Sequence, residues 1–276
     1  MQVSELAIYP IKSCRGIALT QAQVLSKGFL WDREFMITNE QGQFLTQREF
    51  PQLATLGVTI DGERITLSGE AIAPLSVQTT NQGTSQEVQV WRDRTPAIDQ
   101  GETVAQWLTQ ALALPFPVRL FRQSPHPLRI ADPHYTGRTD QPVSFADAYP
   151  FLLTNTASLA ELNRRLEATY GNSSQQVPMA RFRPNIVIHS DHPFLEDHWQ
   201  TVQIGALRFA VVKPCSRCLV TTTDQQTGQR NPLKEPLKTL NTFRNQGGQI
   251  MFGQNLIPLA EGRIAVGDPV TVIGTC

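Results

Sequence analysis

Short apolar runs, broken every few residues by turn formers, constrain the first hundred residues of this chain more than any other feature. Val3 to Ile8 alternates roughly between apolar and polar side chains, Glu34 to Thr38 leads into Asn39-Glu40-Gln41-Gly42, and Val58 to Leu67 folds back at Asp61-Gly62. Successive side chains of a strand point to opposite faces, so alternation buries one face, and Asp-Gly tolerates the positive φ of a tight hairpin. A meander of hairpins has exposed edges, which closure into a barrel or packing on a second sheet removes. The pattern predicts a β-rich first lobe rather than a parallel sheet with crossover helices.

The period changes at Glu102 to Leu114, where Val104, Trp107, Leu108, Ala111 and Leu112 fall on one broad face of a helix. Gln123 to Pro142, with Ser124-Pro125-His126-Pro127, Asp132-Pro133 and Gly137, reads as a polar loop or linker of the kind that borders a site. A second helix is expected around a capping box of Ser158 and Glu161, with Leu159, Leu162 and Leu166 on one stripe and Gly171 ending it. Strands follow at Asn185 to His189, Val202 to Ile204, Leu207 to Val212 and Leu219 to Thr223. A helix over Lys234 to Phe243 is entered through Pro236, and Ile264 to Ile273 supplies closing strands. A chain of 276 residues can bury two modest cores. The expectation is a mainly β fold with a few helices (α+β), in two packed lobes covering residues 1–120 and 121–276.

Twenty-four basic and 24 acidic residues cancel, so no chain-wide field attracts nucleic acid or an acidic membrane surface, and a small ligand is expected. Met1 to Pro10 lacks a basic cluster followed by an apolar run, and no segment approaches the roughly 18 apolar residues that span a bilayer. This predicts a cytoplasmic protein without stable membrane insertion. Four cysteines are too few for a disulfide scaffold; Cys14 and Cys276 stand alone, whereas Cys215 and Cys218 form a Cys-x-x-Cys pair. Lys213-Pro214-Cys215-Ser216-Arg217-Cys218 lies between two expected strands, where a loop can present sulfur at a cavity mouth. Pro214 stiffens the approach, and Arg217, next to Cys218, favours a thiolate there. The five histidines offer no second pair at zinc-finger spacing, no α/β pattern sets the cysteines at a helix start, and Leu219 stands where a c-type haem motif has histidine. A soft-metal ligand and a nucleophile both remain open.

Several segments now point one way. Tyr9-Pro10-Ile11-Lys12-Ser13-Cys14, Asp32-Arg33, Gln106-Trp107, Ser158-Leu159-Ala160-Glu161-Leu162-Asn163 and Phe182-Arg183-Pro184-Asn185-Ile186-Val187-Ile188 come first. Cys215 through Asp224, Lys234-Glu235-Pro236-Leu237, Phe252-Gly253-Gln254 and Val266-Gly267-Asp268-Pro269 follow in order. Together they resemble the MOSC family, named for the C-terminal domain of molybdenum cofactor sulfurase, and especially its amidoxime-reducing members, over nearly the whole chain. The resemblance implies two β-barrel-like lobes, a MOSC N-terminal β-barrel domain packed on a MOSC domain. It also implies a molybdenum-molybdopterin cofactor of the sulfite oxidase type, with Cys218 as the protein thiolate on the metal and Cys215 a buried neighbour. By the same resemblance Lys12, Ser13 and Arg33 would receive the pterin phosphate, and Arg183 and Asn185 its polar edge. Asp147, Ser216 and Arg217 would make further contacts, with Arg48 as a possible addition to the positive site.

The implied reaction is reduction of small N-oxygenated molecules (amidoximes, N-hydroxylated bases, N-oxides) by oxygen-atom transfer to molybdenum. Electrons would come from a separate ferredoxin, flavoprotein or cytochrome b5-like protein, since no cysteine-rich ferredoxin segment precedes Cys276; the loop around His126 is one candidate surface for it. Two other readings stay open: a sulfur carrier working through a cysteine persulfide, and a non-catalytic module that binds or stores the cofactor. Tyr149 and Asn255 depart from the amidoxime-reducing pattern, which has a small hydroxyl residue and an aromatic there, so the resemblance leaves the substrate range open.

Overall fold

The computed structural model describes residues 1–275; Cys276, expected to stand alone, lies outside the described residues. The first strand, Gln2–Ile8, buries Val3, Leu6 and Ile8, and a register shift between Val3 and Glu5 absorbs the odd spacing of these apolar residues. Gly57–Asp61 and Arg64–Gly69 form the expected hairpin, but Asp61 pairs with Arg64, so the turn is Gly62-Glu63, one residue later than Asp61-Gly62. Gly62 supplies the positive φ, +58°. Ile72–Gln78 completes that sheet, and the helix Glu102–Leu112 buries Val104, Leu108 and Leu112 in the same core as Ile65 and Leu67. A four-stranded sheet runs Phe35–Asn39, Val118–Gln123, Asp93–Asp99, Ser85–Val90.

The largest sheet, nine-stranded among the described residues, belongs to both halves of the chain. Its path is Ile17–Leu19, Gln2–Ile8, Ile186–His189, Phe151–Asn155, Gln249–Pro258, Leu207–Ser216, Trp199–Ile204, Val270–Thr275, with Asn245–Gln246 paired to Gln249–Pro258 beside it. Phe151–Asn155 and Ile186–His189 are parallel, with the helix Thr156–Tyr170 between them in sequence. Gln21–Leu25 pairs with Gly262–Ala265, so Val3, Leu6, Ile8, Val24 and Phe29 enter one core with Phe151, Phe209 and Ile264. Gly253 is required where Gln249–Pro258 crosses Phe151–Asn155: its φ is +82°, and a Cβ there would stand 2.7 Å from the Leu153 carbonyl oxygen.

Four expectations are corrected. Two separate barrels are not seen among the described residues: the largest sheet takes strands from both halves of the chain, and Gln21–Leu25, Gly28–Phe29 and Gly262–Ala265 make only a partial half-barrel. The first 29 residues lend strands to the sheets of the second half, so the two halves do not build their sheets separately. The second helix starts at Thr156, not behind Ser158, because Asn155 caps it by accepting from the Ala157 amide at 3.0 Å. Ser158, inside the helix, donates instead to the buried Glu196 carboxylate at 2.8 Å. Leu219–Thr222 is a 3-10 turn rather than a strand, since the hydroxyls of Thr221 and Thr222 donate back to the carbonyls of Cys218 and Leu219 at 2.9 and 2.7 Å. Such local bonds compete with a β-ladder, which β-branching alone favours. The stretch 123–142 is also more ordered than a plain linker, with Arg129–Ile130 paired to Pro142–Val143. No described helix is long and apolar enough to cross a membrane.

Candidate functional site: a cationic cavity beside two cysteines

Lys12, Ser13, Arg33, Asp147, Arg183, Asn185, Ser216, Arg217 and Cys218 all line one cavity of about 280 Å³. They arrive from segments up to about two hundred residues apart, which the shared sheet draws together. Six cationic side chains face it (Lys12, Arg33, Arg48, Arg183, Lys213 and Arg217) against one carboxylate, Asp147. A chain with no net charge therefore concentrates positive charge at one concave place, where low-dielectric walls focus the field. Four non-glycine residues of the wall have left-handed backbones: Ser13, Arg33, Trp91 and Arg183, with φ of 69°, 48°, 55° and 54°. Conformations that cost energy gather where a site needs a side chain aimed in a particular direction.

Lys12 is 6% exposed and donates to the Phe145 carbonyl at 2.8 Å and to Asp147 Oδ1 at 2.5 Å. Burial pushes its ammonium pKa down, against the opposing pull of Asp147. Asp147 is open to the cavity, its side chain 70% accessible. Surrounding protein opposes its ionisation, yet the charge and hydrogen bond of Lys12, with a 3.0 Å bond from Trp91 Nε1, hold its carboxyl well below the usual range. Arg33 and Arg183 pack their guanidinium groups against the Tyr9 ring, 4.4 and 4.2 Å from its centre. Arg33 donates to Asp32 at 2.6 Å, while Arg183 donates to Gln225 at 2.9 Å. Burial lowers the pKa of Arg183 to about 10, which leaves it charged at neutral pH.

Asn185 lines the cavity but its amide is largely spent inside the protein. Oδ1 accepts from Arg33 and from the Leu152 amide at 3.0 and 3.2 Å, and Nδ2 donates to the Ala7 carbonyl at 3.2 Å. Its work is to hold Arg33. Ser13 Oγ donates to the Leu45 carbonyl at 3.3 Å. Arg217 does not serve Cys218 as adjacency suggested: Nη1 donates to Cys215 Sγ at 2.9 Å and Nη2 to the Phe182 carbonyl at 2.7 Å. Neighbouring residues in an extended chain point apart, whereas i and i+2 share a side. Cys215 is half-buried and lines the cavity rather than being fully enclosed. Cys218 caps the 3-10 turn, and its sulfur forms no hydrogen bond among the described residues.

Tyr149 and Asn255 also line the cavity. Burial, with a smaller contribution from Asp132, pushes the Tyr149 phenol up to about 12. No sequence feature singles out Trp91, Gln225 or Arg129. Arg129, 7% exposed, donates to the carbonyls of Ser144 and Ala146 at 2.8 and 2.9 Å and to Asp93 at 2.8 Å, and so braces the segment that carries Asp147. Nothing local marks these three, since each acts on a residue distant in the chain. No group of three or more His, Cys, Asp or Glu side chains that could hold a metal ion occurs among the described residues.

The family model described as MOSC N-terminal beta barrel domain matches residues 1–115, and the MOSC domain model matches 140–271. Mitochondrial amidoxime-reducing component 1 of Homo sapiens is 36% identical over 291 residues, covering 99% of this chain and 83% of the human one. The chain belongs to the MOSC family. Among other MOSC relatives, the Mus musculus protein of the same name is 36% identical, over 99% of this chain and 82% of its own length. The molybdenum cofactor sulfurase of Oryza sativa subsp. japonica is 31% identical over 99% of this chain, a match that spans 34% of that longer protein. The expectation of a cytoplasmic protein is corrected by these MOSC relatives, two of which are named as mitochondrial. It rested on the opening residues and on the lack of an apolar span, neither of which specifies a compartment.

Proposed function

We propose that this MOSC protein holds a pterin-bound molybdenum through Cys218 and reduces small N-oxygenated molecules with electrons from a separate redox protein. The observation that carries the reading is the composition of the cavity wall: six cations, one carboxylate and a cysteine sulfur without a protein hydrogen bond. An anionic, sulfur-seeking ligand satisfies that wall, and a neutral apolar one does not. The similarity to proteins named amidoxime-reducing component and molybdenum cofactor sulfurase supports the same reading. Bound there, the cofactor would supply two-electron removal of oxygen from an N–OH or N-oxide group.

The chain's own residues do the rest. Cys218 offers one soft anionic ligand, and one is enough where the pterin brings the other sulfurs, so no cluster of protein ligands is needed. Lys12 and Arg33 are set to neutralise a phosphate, as a point charge and a planar fork, with Ser13 beside them. Tyr9, flanked by Arg33 and Arg183, keeps both guanidinium groups in fixed planes. Tyr149, neutral up to about pH 12, can donate a hydrogen bond to a bound oxygen but does not serve as a base at neutral pH.

The test is metal analysis of protein from molybdenum-replete cells, with benzamidoxime reduction driven by a dithionite-reduced dye. Near-stoichiometric molybdenum and turnover are expected, with Cys218→Ser losing both and Cys215→Ser retaining most of each. Equal losses in the two variants would reject Cys218 as the ligand.

One contact favours a second reading. Arg217 sits on Cys215 rather than Cys218, which suits a nucleophilic thiolate that carries sulfur as a persulfide. In that case cyanide treatment releases thiocyanate from the wild type but not from Cys215→Ser, and the molybdenum content is irrelevant to the yield.

A further inference from the structure

A second cavity, of about 540 Å³, adjoins the first and shares Phe44, Thr46, Arg48 and Trp91 with it. Four of the eleven residues that line it are aromatic, set among polar ones. Phe44 and Trp91 meet edge to face at 4.8 Å, Phe50 and Phe116 do so at 5.8 Å, and both pairs line the space. All four rings are only partly buried, although ring surface gains most from leaving water altogether. At the seam, the Arg48 guanidinium lies 4.3 Å from the centre of the Trp91 ring. It forms no ion pair among the described residues, although the Glu49 carboxylate also lines the second cavity, so the guanidinium at the seam is available to both spaces. Trp91 has φ of +55°, costly for a bulky residue, and its indole N–H is tied to Asp147.

From this we infer that the second cavity is a subsite for a flat aromatic ring, aryl or heteroaryl, of a small ligand whose polar end lies in the first cavity. The uncovered part of these rings supplies stacking surface, and Arg48 favours a ligand carrying negative charge. The cavities lie side by side with four wall residues in common, which suits one small ligand in contact with both better than a protein partner. That the ligand is the reductase substrate rests on the function proposed above; the ring site itself does not.

Binding of naphthoate and of decahydronaphthoate, its saturated counterpart, to the purified protein, followed by calorimetry, compares a flat ring with a puckered one at equal charge and carbon count. Naphthoate should bind about tenfold more tightly. Phe116→Ala, at a residue that lines the second cavity and not the first, and Trp91→Leu should each remove that preference. Arg48→Gln should weaken both carboxylates by about fivefold and leave the preference in place. The subsite is rejected if the two probes bind equally, or if the preference for naphthoate survives Phe116→Ala; the latter variant decides the matter should Trp91→Leu not fold. A protein without molybdenum that still prefers naphthoate would overturn the proposed function and leave the ring site standing.

Discussion

Tyr9 shows how one side chain serves both stability and the site. Its hydroxyl donates to the Pro184 carbonyl at 3.1 Å, while its ring carries Arg33 on one contact and Arg183 on another. Burial is the main cause that raises its phenol from 10.0 to about 12. The unfolded chain ionises this group near pH 10 and the folded one does not, so its contribution to stability is intact below pH 10 and is lost as pH rises through about 12. Tyr149, raised to about the same value, acts in parallel. Denaturant midpoints should therefore fall steeply across that window, and the double variant Tyr9→Phe/Tyr149→Phe should flatten the fall. At neutral pH, Tyr9→Phe alone should cost about 1 kcal/mol, since the buried Pro184 carbonyl loses its donor. An unchanged alkaline limb in the double variant would mean that other groups control it.

At the scale of elements, the start of the helix Thr156–Tyr170 separates two explanations that look alike in sequence. Ser158 and Glu161 have the spacing of a capping box, but Asn155 makes the cap, and its Nδ2 also donates to Ser190 and Glu196 at 2.7 and 3.1 Å. Asn155→Ala should destabilise the protein by about 2 kcal/mol, combining a lost cap with lost bonds to a buried carboxylate. Glu161 instead pairs with the largely exposed Arg164 and with Arg165, so Glu161→Ala should cost less than about 1 kcal/mol. Thermal unfolding of the two variants decides it, and the reverse order would restore the capping box. The 3-10 turn at Leu219–Thr222 follows the same logic: hydroxyls bonding to their own backbone outweighed β-propensity and set Cys218 at a turn rather than in a ladder.

For the whole molecule, the consequential feature is that the first 29 residues complete the sheets of the second half. Val3, Leu6, Ile8, Val24 and Phe29 are buried there, and at about 1.5–3 kcal/mol each their loss removes roughly 7–15 kcal/mol. That equals the whole stability of an ordinary domain, about 5–15 kcal/mol. A fragment of residues 121–276 should therefore show no cooperative unfolding transition, whereas coexpression with residues 1–120 should restore one. A sharp transition from the fragment alone would show that the two halves fold independently. The same sharing of strands draws Lys12 and Arg33 toward Arg183 and Cys218, so folding and site assembly are one event.

Periodicity and turn chemistry were enough to read a β-dominated chain, the hairpin near Gly62 and the helix Glu102–Leu112, because each depends on residues within a few positions of one another. The family resemblance likewise named nine of the residues that line the cavity. Tertiary structure decided what distance in the chain conceals: which strands are shared, that Arg217 faces Cys215, that Asn185 spends its amide on Arg33, and that Trp91 and Arg129 brace Asp147. Local order follows from backbone preferences and the spacing of apolar side chains, whereas the partner of a buried charge is chosen by whichever polar group the completed fold brings within hydrogen-bonding reach.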